Sequence, residues 1–480
     1  NSNNYIQLDH KIGWIEINYN HERKKSKGIQ GLANPDFGQE TYQFKNGFGN
    51  KDESFVEIGY LKRDNDSIYN GRLDNVNSYE SYFLNSQIIN DKKARLTVYL
   101  NQNKLKSITE NREEKFLNTK VVYNQKLFQN SFDSSLFFET NSGNLPQQEF
   151  TFLEVEPGLG TYKWIDINGN NIQELEEFEI AVFEDEGRYI RVLLPNQIFI
   201  RTYQNKLNYS LKFNFLKLKN SDLGFHKFLS KISNQLQYSL DKKTNLDINP
   251  EIEINPFTID ENSLLAYNYS LKNVFYFNRS KQKFSLAFTF LENKSKNNFS
   301  FGSTRSSSLI KKINFVHKIG DLYLMEIIGN RQKKTNWSEN FQDKNYNISD
   351  YSINPKLTYY SGENNRINFI YKLSNIKNSI ANQESLKQQN FGVSLFLNQK
   401  EKTGFISEFN YFKNEFNGDI NSVISYIMMN GLQKGENYTW SFKFQRKLSK
   451  LIDINFIYLG RKSNSIRTIH NGSIQLKAIF

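Results

Sequence analysis

The sequence predicts an all-β fold: a transmembrane antiparallel β-barrel of about 16–20 strands, within outer bounds of roughly 14–22, carrying one acidic calcium-loop-like insert. Three observations predict it. Apolar and polar residues alternate strictly in run after run. Aromatic residues make up 15% of the chain, with 40 Phe and 27 Tyr, yet the mean hydropathy is −0.66. The chain also ends in an alternating segment that stops on Phe480.

Alternation is the mark of a strand with two unlike faces. Leu96, Val98 and Leu100 give a short early example. Leu207, Tyr209, Leu211, Phe213 and Phe215 enclose Asn208, Ser210, Lys212 and Asn214. Phe284, Leu286, Phe288 and Phe290 follow, then Phe391, Val393, Leu395 and Leu397. Tyr438, Trp440, Phe442 and Phe444 run almost directly into Ile452, Ile454, Phe456 and Tyr458. Clusters at Asn65–Asp66, Asn141–Gly143, Asn293–Asn298, Gly362–Asn365 and Asn417–Asn421 read as turns. About twenty strands result from this reading. Phe225, Phe228, Leu229, Ile232 and Leu236 instead fit a helical stripe, so a short helix or turn is expected to lead into a strand there.

A soluble sandwich or propeller would bury the aromatic face; a membrane barrel turns it to lipid and its polar face to a lumen. The barrel is preferred because the runs reach the ~9–11 residues that a tilted crossing needs, while sandwich strands are usually about 5–6. Phe and Tyr also suit interfacial girdles. No repeat of propeller length is visible.

Other classes are excluded by composition. With no cysteine there is no disulfide scaffold, thiolate zinc site, iron–sulfur cluster or cysteine nucleophile. No apolar run approaches the ~18 residues of a transmembrane helix; Val423–Met429 is among the longest. No secretory signal precedes Asn1, so the expectation is a processed chain or the ordered part of a longer precursor.

Ile474, Leu476, Ala478 and Phe480 share one face of the last segment. That pattern resembles the C-terminal assembly signal of bacterial outer-membrane barrels, which implies the barrel assembly machinery as a partner and the bacterial outer membrane as the location.

Residues 151–190 break the pattern. They hold ten carboxylates and two cations, leaving 60 cations against 40 carboxylates elsewhere in a chain of net charge +12. So local a swing marks a distinct element. The organisation expected is barrel strands over 1–150, an acidic plug or docking element over 151–190, and barrel strands over 191–480. Within the insert, Asp166, Asn168, Asn170, Ile172, Glu174 and Glu177 have the spacing of an EF-hand-type loop at positions 1, 3, 5, 7, 9 and 12. Alternate residues on a tight loop converge the hard oxygens that calcium needs, with Ile172 giving a backbone carbonyl. Asn171 replaces the usual glycine at position 6, and Tyr162–Ile165 looks like a strand in place of an entering helix. The expectation is a structural Ca2+ site that neutralises the carboxylates and pins the insert; the alternative is a surface turn that binds nothing.

The motif Gly158-x-Gly160-x-Tyr162-x-Trp164-x-Asp166-x-Asn168, then Glu174-Leu175-Glu176-Glu177-Phe178-Glu179 and Tyr189-Ile190-Arg191-Val192, resembles a family of large outer-membrane proteins of Bacteroidota. It covers about a tenth of the chain. The resemblance implies an outer-membrane barrel, the C-terminal part of a longer protein. Some relatives in that phylum work in secretion or outer-membrane assembly.

Five histidines occur, at 10, 21, 226, 317 and 470, with no metal-ligand spacing. A His–Ser pair on the wall would make a lipid hydrolase, but scattered polar residues look the same. P-loop, nucleophile elbow, HExxH and dinucleotide fingerprints are absent from the sequence. No enzyme is expected. The cations are spread along the chain, so nucleic acid is not an expected partner; lipopolysaccharide phosphates and lipid are. Two functions remain: a scaffold or docking subunit of an outer-membrane secretion or assembly machine, with other outer-membrane or periplasmic subunits as partners, and a porin-like channel or transporter for small solutes. The acidic insert tips the expectation towards the scaffold.

Overall fold

The alternating runs form strands, and neighbouring runs pair antiparallel. The computed structural model describes residues 2–478 apart from 25–26, 29–30, 33–36, 70–71, 109–111, 129, 147–148, 167–168, 195–198, 216–223, 250–251, 280–282, 300–301, 363, 400–402, 450–451 and 465. Among the described residues, 21 strands belong to one sheet, just above the 16–20 expected and within the 14–22 bounds.

In chain order the strands are β1 (Ser2–His10), β2 (Gly13–Lys24), the two-residue pair β3 (Lys27–Gly28) and β4 (Gly31–Leu32), β5 (Phe37–Gly49), β6 (Phe55–Tyr69), β7 (Arg72–Asn90), β8 (Ala94–Ser107), β9 (Arg112–Leu127) and β10 (Phe132–Pro146). The insert supplies β11 (Glu149–Glu154), β12 (Tyr162–Trp164), β13 (Phe178–Ile180) and β14 (Tyr189–Leu194). Then come β15 (Phe199–Asn214), helix α1 (Gly224–Leu229), β16 (Ile232–Asn245), β17 (Leu264–Phe277), β18 (Phe284–Phe299), β19 (Gly302–Ile319), β20 (Tyr323–Ser338), β21 (Tyr346–Ser361), β22 (Asn365–Asn378), β23 (Ser385–Gln399) and β24 (Thr403–Asn417). Helix α2 (Val423–Met429) precedes β25 (Gly435–Lys447), β26 (Ile452–Ser463) and β27 (Ile466–Ala478). The start of the stripe, Phe225 to Leu229, is thus a short helix, and Ile232 and Leu236 lie in the strand it leads into.

The chain divides into two units. Unit 1 holds Asn1–Pro146, Ile198–Asn214 and Leu236–Tyr269. Its strands pair in sequence from β1–β2 to β10–β15, skipping the small β3–β4 pair and the insert. Tyr42, Phe44, Ile58 and Tyr82 lie exposed on one face, where Tyr19 packs on Tyr42 and Tyr60 on Tyr82. The other face is polar: Lys45 pairs with Glu16 at 2.6 Å, and Trp14 Nε1 donates to Glu57 at 3.2 Å. Lys242, 2% exposed, donates to the carbonyls of Asn255 and Thr258 and ties the following loop down.

Unit 2 holds Gln147–Gln197, Phe215–Gln235 and Ser270–Phe480. Strands β18 to β27 pair consecutively. Here the usual inside and outside are exchanged. Phe369, Phe391 and Phe409, on three successive strands, are 50%, 50% and 47% exposed. Gln388 and Asn414, on the opposite face, are buried and bond each other at 2.9 Å. Water-soluble sheets bury their aromatic face. A sheet that exposes rings and shields amides has hydrocarbon as its outer solvent, and a sheet spanning hydrocarbon must close into a barrel so that no edge is left unpaired.

Strands of up to 19 residues exceed the ~9–11 of a bare crossing. Three expected turns are therefore strand: Asn65–Asp66 lies in β6, at a bulge, Asn141–Gly143 in β10 and Asn293–Asn298 in β18. Their polar side chains bond across the ladder, as Ser295 does to Ser306 at 2.7 Å and Ser78 to Asp64 at 2.6 Å. Asn and Ser runs here extend the sheet into the aqueous zone, where cross-strand hydrogen bonds replace lipid contact. The other two clusters do mark strand ends: Gly362 follows β21 and Gly418 follows β24, both at positive φ.

Of the C-terminal signal residues, Ile474 and Leu476 lie exposed on the apolar face opposite Phe456 and Ile454, and Ala478 lies opposite Ile452. Phe480 lies outside the described residues.

Candidate functional site

The acidic insert is a small four-stranded sheet in the order β11-β14-β12-β13. It folds around aromatic rings. Phe152 stacks on Phe178 with centroids 4.1 Å apart, and Tyr162 and Tyr189 close edge-on at 5.0 and 4.9 Å. Phe178 and Tyr189 are buried. The Gly-x-Gly of the motif serves a backbone crossing: Gly158 and Gly160 N–H both donate to the Gly187 carbonyl, at 2.9 and 3.1 Å. A Cβ on Gly187 would stand 2.1 Å from the Gly160 oxygen, so neither position of that crossing admits a side chain.

The calcium-loop candidates form one turn, held by its own donors. Asp166 accepts Gly169 N–H at 2.7 Å and Asn171 N–H at 3.0 Å. Asn171 takes φ +56°, the left-handed conformation that position 6 requires. Asn170 accepts Ile172 N–H at 2.7 Å and donates to Glu174 at 3.4 Å. Asn168 lies outside the described residues. Glu177 is fully buried and accepts the indole N–H of Trp164 at 2.7 Å. The donor set suits a hard cation, but a cation would have to draw Glu177 from Trp164. Among the described residues no three carboxylates or imidazoles converge on a point.

The remaining acids have a different use. The segment Val182–Glu186 packs against β26 and α2 of the same unit. Arg461, on the polar face of β26, grips Asp185 with both terminal nitrogens (2.8 Å for Nη2 to Oδ2) and reaches Glu186 at 3.0 Å. Its guanidinium lies over the Phe183 ring, 4.0 Å from the centroid. Tyr426 of α2 donates its hydroxyl to Glu186 at 2.9 Å and accepts Val182 N–H at 2.9 Å. Lys163 lies over the Tyr426 ring and pairs with Glu186 at 3.5 Å. Burial pushes the Tyr426 phenol well above the usual tyrosine range. A third tie joins Lys344 to Glu179 at 2.7 Å and to the Phe178 carbonyl at 2.9 Å.

Helix α2 is fixed from below. Ser422 caps its N-terminus by accepting Ser425 N–H, and Asn430 ends it in the left-handed conformation. Ile424, Met428 and Met429 pack with Ile348, Ile376, Leu386 and Phe416, and Phe183 of the insert joins that cluster. Between the insert and the wall a cavity of about 310 Å³ is lined by Phe183, Asp185, Glu408, Asn410, Ser441 and Arg461.

Sequence reasoning did not single out Arg461, Tyr426 or Lys344. Each lies on a different element far along the chain, and only the excess of negative charge in the insert signalled that cations elsewhere must meet it. The histidines form no hydrolytic pair among the described contacts: His470 bonds Tyr458 at 2.7 Å, and His21 meets Glu40 at 3.1 Å.

No family model matches the chain, and no curated protein is similar to it. Solved structures show distant likeness. The siderophore receptor PirA of Pseudomonas aeruginosa aligns with a TM-score of 0.40 at 8% identity, covering 98% of this chain and 73% of that one. The copper transporter OprC gives 0.37 at 8% identity over 95% and 71%. The FrpB iron transporter of Neisseria meningitidis gives 0.35 at 12% identity over 97% and 73%. The exposed aromatic face and shielded polar face of the antiparallel sheet make this chain an outer-membrane β-barrel.

Proposed function

We propose that the protein passes small solutes across the outer membrane, and that the acidic insert is a cap docked on the polar face of the wall. The observation that carries this reading is the Arg461 clamp. The insert spends Asp185, Glu186 and Glu179 on this chain's own cations, so its charge serves closure of the insert onto the wall. A polar face fitted with Asn, Ser, Gln and Lys suits a solute path. The reading calls for no catalytic group.

Planar-bilayer conductance tests it. The wild-type chain gives low or flickering conductance, and a chain with residues 149–194 replaced by a short Gly/Ser linker gives larger, steadier steps. Absence of conductance from both proteins would remove the reading.

The scaffold reading has one observation of its own: Leu153, Leu159, Ile172 and Ile180 are exposed on the insert. A partner that covers them would co-purify in detergent with the wild-type chain and be lost on Leu159→Asp with Ile180→Asp. Conductance with no such loss favours the transporter.

A further inference from the structure

The cavity of about 310 Å³ beneath Val182–Asp185 has a floor built from two neighbouring rungs of the wall. Glu408, Ser441 and Leu459 lie opposite one another across β24, β25 and β26 in the first rung. Asn410, Thr439 and Arg461 do the same in the second. The insert adds Val182 and Glu184 as a roof. The volume lies at the lower end of small-molecule pockets, ~300–1,000 Å³.

The charge of this space is not balanced from within the chain. Arg461 is held by Asp185 and Glu186. Its strand also lies two away from that of Glu408, about 10 Å. Glu408, partly buried, accepts Asn410 Nδ2 at 2.8 Å. Among the described residues no cation pairs with it, Lys443 two positions beyond Ser441 included. Glu184, exposed on the roof, likewise has no ion pair among the described residues. Two carboxylates on opposite walls therefore line the cavity without a counter-charge. A carboxylate partly withdrawn from water and left unpaired favours a cation from outside.

The neighbouring groups select the kind of cation. Among the described residues no three carboxylates or imidazoles converge on a point, so a bare metal ion would lack ligands here. An ammonium needs fewer, because it donates at most three hydrogen bonds. Glu408, the Ser441 hydroxyl and the Asn410 side-chain oxygen are neighbouring acceptors on one face. The Asn410 amide nitrogen already donates to Glu408, so its oxygen is the atom left for a ligand. Leu459 and Val182 give an aliphatic chain its surface, and Glu184 on the roof meets a second ammonium. We infer that this cavity binds a small aliphatic diamine. The inference rests on the transport reading and names its cargo.

Putrescine is the probe, titrated calorimetrically at low salt into the full chain in detergent, with the diol of the same chain length as its uncharged control. Saturable putrescine binding is expected, weakened about tenfold or more by Glu408→Gln through loss of a charged hydrogen bond. Glu184→Gln should weaken it severalfold, and the diol should not bind. Both substitutions keep the shape and remove only the charge. Heat-modifiable gel mobility checks that each variant is folded, and Ser441→Leu, which fills the floor, replaces Glu408→Gln if that variant is not. No saturable binding of putrescine to the wild-type chain overturns the inference. So does equal binding of the diol, and so does putrescine binding that folded Glu408→Gln leaves unchanged, which would put the amine on other acids of the insert. Conductance without putrescine binding ends this inference and leaves transport standing. Putrescine binding lost in Glu408→Gln, with no conductance, ends the transport reading and leaves the cavity as a binding site.

Discussion

Arg461 holds Asp185 across 276 residues of sequence, with both guanidinium ends on the carboxylate and the Phe183 ring beneath. Two planar groups paired side by side fix direction as well as distance. The pair sets how the insert lies on β26, and Tyr426 and Lys344 add two further points. Three ties on separate elements stop the small sheet from pivoting.

Removing Arg461 should therefore free the insert without unfolding the barrel. The side chains of Arg461 and Asp185 are 14% and 29% exposed, so the pair is partly desolvated. Arg461→Met leaves Asp185 shielded without its guanidinium, and Glu186 with Tyr426 and Lys163 alone, at a cost of about 3 kcal/mol, the low end for breaking a buried pair. Limited proteolysis should cut the insert at least tenfold faster in Arg461→Met, with heat-modifiable mobility unchanged. Arg461→Asp combined with Asp185→Arg should restore part of the protection. Equal cleavage of Arg461→Met and wild type would show that the clamp does not hold the insert.

The Tyr426 tie depends on pH in a defined direction. Its phenol is raised by burial first, with Glu186 adding to the rise and Arg461 and the Val182 N–H opposing it; Lys163 also faces the ring. A raised acid binds its proton more tightly when folded. Its contribution is therefore complete below the unfolded value of about 10 and is lost as pH rises beyond it. Insert protection should be constant from neutral pH to about 9 and fall above about 10. Tyr426→Phe should show weaker protection at neutral pH, by about 1–2 kcal/mol for the lost hydrogen bonds, and should lack the Tyr426 part of the alkaline step. Identical alkaline profiles for the two proteins would place the titrating group elsewhere.

The strands and their lipid face were readable because alternation is local: each side chain declares its face by its neighbours two residues away. Phe391, Val393 and Leu395 needed no partner to reveal an apolar surface. Strand ends were misread at Asn65, Asn141 and Asn293, where composition says turn but pairing with the next strand decides. Asn171, which stands in place of the glycine at position 6, takes the left-handed conformation, because a tight loop imposes that geometry by itself. The clamp was not readable. Arg461 is one of 62 cations, and nothing within a few residues of it distinguishes it from those facing water.

The turn over Asp166–Glu177 is expected to take calcium, with Glu177 leaving Trp164 for the ion. That movement supplies the measurement. Terbium(III), a calcium mimic, should luminesce when excited through the nearby Trp164 indole, and calcium should compete the signal away. Asp166→Asn and Trp164→Phe should each abolish most of the emission while the barrel stays folded. A flat terbium titration of the wild-type chain would show that the loop is complete with its own N–H donors and needs no ion.

The exchange of inside and outside predicts opposite effects for one substitution on two faces. Phe391 lies half exposed among Tyr371, Val393 and Tyr411 on the apolar face. Gln445 sits on the polar face of β25, opposite Gly404 and Asn455. Phe391→Arg places a charge in hydrocarbon and should destabilise the folded barrel by about 2–4 kcal/mol if the ring lies near the bilayer midplane. Gln445→Arg adds the same charge where water or polar groups can solvate it, and should change stability by less than about 1 kcal/mol. Urea unfolding in lipid vesicles, followed by heat-modifiable mobility, measures both. In a water-soluble protein Phe391→Arg would lose only an exposed ring, and the two variants would unfold alike. That result would also end the outer-membrane assignment, because an aromatic face indifferent to charge is not in contact with lipid.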